Sequence, residues 1–157
     1  MGDRHSRLGA LLAAAWEAEV VSGRELAALA RDAPDLTAKA RLLVLSAYCR
    51  AHASRLLARL SSLGRGPLPV PADDEDFDDE GPPDEAAVDE RLARLASHAR
   101  VAAARYEAIA DLARRRQDLS SAWICELNRS EERDLVGELG RLGRPRSEPL
   151  FEAQPKG

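Results

Sequence analysis

The sequence predicts an all-α protein, a four-helix bundle of two antiparallel hairpins joined by a long acidic crossover linker. Three observations carry this prediction. Ala, Leu and Arg dominate, aromatic residues make up only 4% and β-branched clusters are almost absent, a composition that favours helix. Apolar residues recur at alternating spacings of three and four along four separate segments. The stretch from Gly64 to Asp84 carries five prolines and eight acids, too polar and too Pro-rich to build a core. At 157 residues the chain has the length of one domain. The bundle is placed at residues 1–142, with the linker at 65–84 inside it and a disordered tail at 143–157.

The first helix is predicted from about His5 to Asp32, because Pro34 disfavours helical geometry in Ala33. Its inward stripe is Leu8, Leu12, Ala15, Glu19, Ser22, Leu26 and Leu29, so Glu19 sits in the middle of an apolar seam. A carboxylate there needs a partner, and Trp16 flanks it one turn earlier.

Asp35 is a plausible N-cap for a second helix beginning at Leu36 and ending at Gly64, a residue suited to the left-handed helix terminus. Within it, Leu42 to Leu63 is the most apolar stretch of the chain. Cys49 and His52 share its inward stripe with Leu42, Leu45, Leu56 and Leu63. The short connection makes helices one and two a hairpin, and counting outward from the turn brings Glu19 level with residues 49 to 52. No acidic residue occurs between Leu36 and Gly64.

The linker can span about 70 Å at roughly 3.3 Å per residue, more than the ~42 Å length of a 28-residue helix, so it can return the chain to the far end of the bundle. From Gly66 to Glu85 there are nine acids and no base, which leaves 18 acids against 23 Lys and Arg elsewhere. Two readings follow: a solvated loop, or an acidic strap over a basic face.

Helix three is predicted from Glu85 to Arg116, with Val88, Leu92, Leu95, Ala99, Ala102, Tyr106, Ile109 and Ala113 inward. Glu107 flanks this seam. Helix four runs from about 119 to Leu142, with Ile124, Leu127, Glu131, Leu135 and Leu142 inward. Reflection about the turn near residue 117 sets Tyr106 and Glu107 level with Asn128 to Glu131.

Composition also narrows the function. Only Lys39 and Lys156 accompany 21 arginines, a bias that GC-rich, bacterial-like coding explains, so Arg abundance does not argue for nucleic acid. Charges interrupt the N-terminal segment, and no run of about 18 uncharged apolar residues exists, so the expectation is a cytoplasmic protein with no membrane span. Cys49 and Cys125 lie in helical patterns and read as reduced thiols. A Cys49/His52 nucleophile would lack an oxyanion donor motif, and no Gly-rich phosphate loop is present. Arg91 and His98 share a helix at a spacing found in some helical ribonucleases, a pairing expected by chance in an Arg-rich chain.

With Glu19 in mid-helix, CRAHASRLLARL in helix two and YEAIADLARRRQDLSSAWICELNRSEERDLVGEL in the second hairpin, the chain resembles the ferritin-like superfamily, rubrerythrin-type proteins included. The resemblance implies a carboxylate-bridged metal centre, with one Glu from each of two helices and Glu-x-x-His from each of the others. Glu19, His52 and Glu107 fall on matching positions. Cys49 stands where the first Glu of one motif is required, and helix four offers Asn128-x-x-Glu131 without His. A single iron or zinc ion held by Glu19, Cys49, His52 and Glu131, with Glu107 nearby, is the form of centre these residues suit. The alternative is no metal, with His52 and Glu19 forming a buried pair.

The leading function is thus metal handling, leaning away from catalysis; an enzyme would be a ferritin-like metal-dependent oxidoreductase. The runner-up is a non-catalytic helical interaction protein, a homodimer or one with a helical partner. Some ferritin-like proteins carry C-terminal docking peptides, and Leu150-Phe151 in the tail is the corresponding candidate.

Overall fold

The structure, a computed structural model, describes residues 2–72 and 85–143, with side chains from residue 7 onward. Four helices are present: α1 (Gly2–Asp32), α2 (Leu36–Ser62), α3 (Glu85–Arg115) and α4 (Leu119–Leu142). No strand occurs among the described residues. The tail with Leu150-Phe151, and the most acidic part of the linker, lie outside them.

Local chemistry sets the helix ends. Asp35, in extended backbone, accepts a hydrogen bond from the Ala38 amide at 2.8 Å and so caps α2. At the other end Gly64 adopts φ +72°, and the amides of Leu63 and Arg65 donate back to carbonyls of the last turn. The α3–α4 turn places Gln117 at φ 58°, after which Asp118 accepts from both the amide and the hydroxyl of Ser121. Arg59 of α2 joins this cap, donating to Asp118 at 2.8 Å and to Ser121 at 2.9 Å, and pins the end of one hairpin to the turn of the other.

Helices α1 and α2 form one hairpin and α3 and α4 the other; α1 packs on α3, and α2 on α4. Two apolar clusters fill the interior. One joins Leu8, Leu12 and Trp16 to Leu56 and Leu60, to Tyr106 and Ile109, and to Ala122 and Cys125. The other joins Leu26 and Leu29 to Leu42 and Leu45, to Leu92 and Leu95, and to Leu135 and Leu139. The first half of α1 therefore meets the second halves of α2 and α3, so adjacent helices are antiparallel. Each fully buried Leu or Ile in these clusters contributes about 1.5–3 kcal/mol.

This arrangement requires the chain to leave α2 at one end and enter α3 at the other, so the connection is a crossover. Its first part lies along α1. The Arg65 side chain covers Gly9, where a Cβ would run into the guanidinium; Leu68 packs on the cluster of Leu8, Leu12 and Trp16; and Arg24 donates to the Pro71 carbonyl at 2.7 Å. From the level of Gly9 to that of Arg24 the segment climbs about 22 Å of helix.

Register follows the expected stripes in α1, α2 and α3. In α4 it differs. The buried residues are Ser121, Ala122, Cys125, Asn128, Glu132, Leu135 and Leu139, while Ile124, Leu127, Glu131 and Leu142 are half-buried on the flank. Small and polar side chains occupy the α4 seam because α4 faces the polar centre of the bundle there.

Candidate metal centre

Between the two apolar clusters lies a layer of polar side chains, supplied by all four helices: Glu19 from α1, His52 from α2, Tyr106 from α3, and Asn128 and Glu132 from α4. All are buried, and His52 and Asn128 completely. Close approach of α1 and α2 seats the first two. Gly23 has no side chain to separate the helices, and Ser46 donates to its carbonyl at 2.8 Å.

His52 lies among three carboxylates. Its Nδ1 is 3.1 Å from Glu132 Oε1 and 3.3 Å from Glu19 Oε2, while its Nε2 is 2.9 Å from Glu131 Oε2. Burial alone would lower its pKa, but the hydrogen bonds to Glu132 and Glu19 outweigh it and raise the imidazole to about 9. Glu132 is pushed up to about 7 by burial, helped by the Glu19 charge and opposed by His52. Glu131 is held below the ordinary carboxylate value by Arg55, which grips both its oxygens at 2.5 and 3.2 Å.

The outward-facing atoms of the layer are already bonded. Tyr106 donates to Glu19 Oε1 at 2.6 Å, and Asn128 donates to the Tyr106 oxygen at 3.2 Å. Burial and the Glu19 charge raise the Tyr106 pKa, so it remains a donor. Asn128 Oδ1 accepts from Arg55 at 2.9 Å. Tyr106, Asn128 and Arg55 thus anchor the layer in a chain of hydrogen bonds that starts at Glu19. Glu19 Oε2 accepts no well-formed hydrogen bond although it is buried. Glu19, His52 and Glu132 each offer one ligand atom within 4.8 Å of the other two, and this group can hold a metal ion.

Of the residues expected from sequence, Glu19 and His52 are brought together here. Cys49 is buried one turn from His52, within the cluster of Leu26, Leu29, Leu42 and Leu45; burial and the Glu19 and Glu132 charges raise its pKa strongly, so it remains a thiol and stands outside the group. Glu131 does not point into the seam but holds the second nitrogen of His52 from the rim. Glu107 is exposed on the outside of α3 and pairs with Arg129 at 2.8 Å; the inward oxygen of α3 is the Tyr106 hydroxyl. Sequence reading missed Glu132. Its signal was the 3-3-4-3-4 spacing of Ala122, Cys125, Asn128, Glu132, Leu135 and Leu139.

The donors fit one metal ion and not two. A pair of ions calls for several bridging carboxylates and two imidazoles, and the layer has one imidazole. With all three carboxylates ionised, Glu19, Glu131 and Glu132 carry −3 against +2 from the His52 imidazolium and Arg55, although burial leaves Glu132 protonated part of the time near neutral pH. A divalent ion taking the place of the Nδ1 proton brings the cluster to neutrality. The Nε2–H of His52 would then donate to Glu131, the orientation that a metal-bound imidazole commonly takes from a neighbouring carboxylate.

Compared with protein-family models, curated proteins and solved structures, the chain matches none of them. Among the described residues no helix is long and apolar enough to cross a membrane.

Proposed function

We propose that this chain is a ferritin-like bundle whose centre holds one divalent metal ion, ferrous iron or zinc, through Glu19, His52 and Glu132. The observation that carries the reading is convergence. Three buried ligand atoms lie within 4.8 Å of one another, and Glu19 Oε2 has no well-formed hydrogen bond, only His52 Nδ1 at 3.3 Å. The likeness to ferritin-type bundles is supported by the crossover between two hairpins and by the polar layer at mid-height. Iron would bring redox chemistry to the centre and zinc would bring Lewis acidity. The chain's own residues orient the ligands: Tyr106 fixes Glu19, Arg55 and Glu131 fix His52, and an apolar cluster bounds the layer on either side.

Calorimetric titration of chelator-stripped protein with zinc, and anaerobically with ferrous iron, tests the reading. One equivalent should bind, and Glu132→Gln should weaken it severalfold or more. Absence of binding of either ion below about 100 μM, where a dedicated site is well occupied, would overturn it.

A second reading has an observation of its own. Leu36, Leu43, Val44 and Tyr48 form an exposed apolar stripe along the outside of α2, with Leu36 81% and Val44 55% exposed. They favour an interaction protein, a homodimer through α2, whose polar layer only specifies packing. Sedimentation of wild type against Val44→Glu decides this: a dimer lost in the variant supports it, and a wild-type monomer at 100 μM, a concentration where a stable dimer is about fully formed, excludes it.

A further inference from the structure

A cavity of about 550 Å³ opens between α1 and α3 and reaches the polar layer. Its size falls in the range of pockets that enclose small organic molecules. The walls are mostly apolar and small, with Ala14, Ala18 and Val21 from α1 and Val101 and Ala102 from α3, and the charged residues Glu17 and Arg105, one of each sign, also line the cavity. Side chains of this size leave open a space that larger ones would close. The floor is different, with both Glu19 and Glu132 reaching the cavity. Glu19 is 3% exposed, and its Oε2 has no well-formed hydrogen bond, only the approach of His52 Nδ1 at 3.3 Å, so an under-satisfied buried acceptor belongs to a residue that lines the cavity.

From this geometry we infer that the α1–α3 groove binds an apolar amine, with its ammonium head against Glu19 and Glu132 and its hydrocarbon body along the groove. The walls select the body, since an apolar ligand there removes apolar surface from water on both sides. The floor selects the head. With Glu132 ionised the layer is one positive charge short of balance, and an ammonium supplies that charge together with N–H donors for the two carboxylates. An anionic head would set a further negative charge beside buried carboxylates, a heavy penalty at low dielectric. An alcohol would fill the walls and leave the charge unbalanced.

This inference does not depend on the metal reading. It is tested in chelator-stripped, full-length protein by calorimetric titration with octylamine, octanol and octanoate. Octylamine should bind at least tenfold tighter than octanol, and octanoate weakest. In Glu132→Gln the amine's advantage should fall severalfold while octanol binding persists. Ala102→Leu, at the half-buried wall, should weaken octylamine tenfold or more with helical content unchanged, and this variant serves if the Glu132 change unfolds the chain. Equal affinity for octylamine and octanol, tighter binding of octanoate, or an Ala102→Leu variant that binds octylamine as wild type does would each overturn the inference. Zinc titrated alone separates the two readings: zinc bound without octylamine sinks the amine site and leaves the metal site, and the reverse result does the opposite.

Discussion

Tyr106 and Glu19 face each other across the α1–α3 interface, the phenol oxygen 2.6 Å from Glu19 Oε1, and this bond leaves Oε2 as the oxygen beside His52 Nδ1, at 3.3 Å. Tyr106→Phe keeps the ring in the cluster of Leu8, Leu12 and Trp16 and removes the hydroxyl, both the donor to Glu19 and the acceptor from Asn128. It should cost about 1–3 kcal/mol, the penalty of leaving a buried acceptor unpaired, and weaken metal binding roughly 10- to 100-fold. Urea denaturation and metal titration of the same variant check both.

His52 is the only cation inside the layer, so its removal strands two buried carboxylates while Glu131 keeps Arg55. His52→Leu should destabilise the protein by about 3–5 kcal/mol. Adding Glu132→Gln to that variant should recover part of the loss, because one of the stranded charges is gone. A double variant no more stable than the single one would show that Glu132 is not coupled to His52.

The pH dependence has a definite sign. His52 is raised from 6.5 to about 9, so its stabilising protonation is complete below pH 6.5 and is lost as pH rises through 9. Glu132, raised from 4.5 to about 7, acts in the same direction between those values. Metal-free protein should therefore lose thermal stability between pH 6.5 and 9 from this layer. Metal competes with the same protons, so the increase in melting temperature on adding zinc should grow across that window. A zinc effect that shrinks with rising pH would contradict the ligand assignment.

Gly23 sets the spacing of the first hairpin. A Cβ there would lie 3.3 Å from Cys49 Cβ, so Gly23→Leu should force α1 from α2, cost about 1–3 kcal/mol from overpacking, and disturb the Ser46 hydroxyl bond. Gly23→Ala should be much milder, since the gain in helix propensity of up to about 1 kcal/mol offsets the crowding. Melting temperatures of the two variants test the difference.

The fold was legible because its signals are local. Pro34, Asp35 and Gly64 mark ends whose backbone chemistry depends on near neighbours, and the predicted helix limits agree with the structure within a few residues. Within the layer, Glu19 and His52 were found because each interrupts a clear Leu and Ala stripe. Glu132 was hidden for the opposite reason. Ranking α4 by hydrophobicity draws Ile124 and Leu127 inward and Glu131 with them, whereas the seam is built from Ala122, Cys125 and Asn128. Two adjacent glutamates cannot be assigned to inside and outside by apolar pattern when the inside is itself polar. The role of Tyr106 was likewise beyond the pattern, since a tyrosine on a seam reads the same whether or not its hydroxyl has a carboxylate to meet.

The crossover makes the two hairpins separable in a topological sense. Each supplies part of the centre: Glu19 and His52 come from the first, Tyr106, Asn128 and Glu132 from the second. A tether of about 20 residues, up to roughly 70 Å when extended, is long enough for the second hairpin to seat on the first hairpin of another copy. Such an exchange reproduces every contact of the layer in trans, two centres in one pair of chains. The contacts of Arg65 and Pro71 with α1 of the same chain, and of Leu68 with the apolar cluster, hold the tether close and would raise the local concentration of its own partner hairpin, which favours pairing within one chain over exchange.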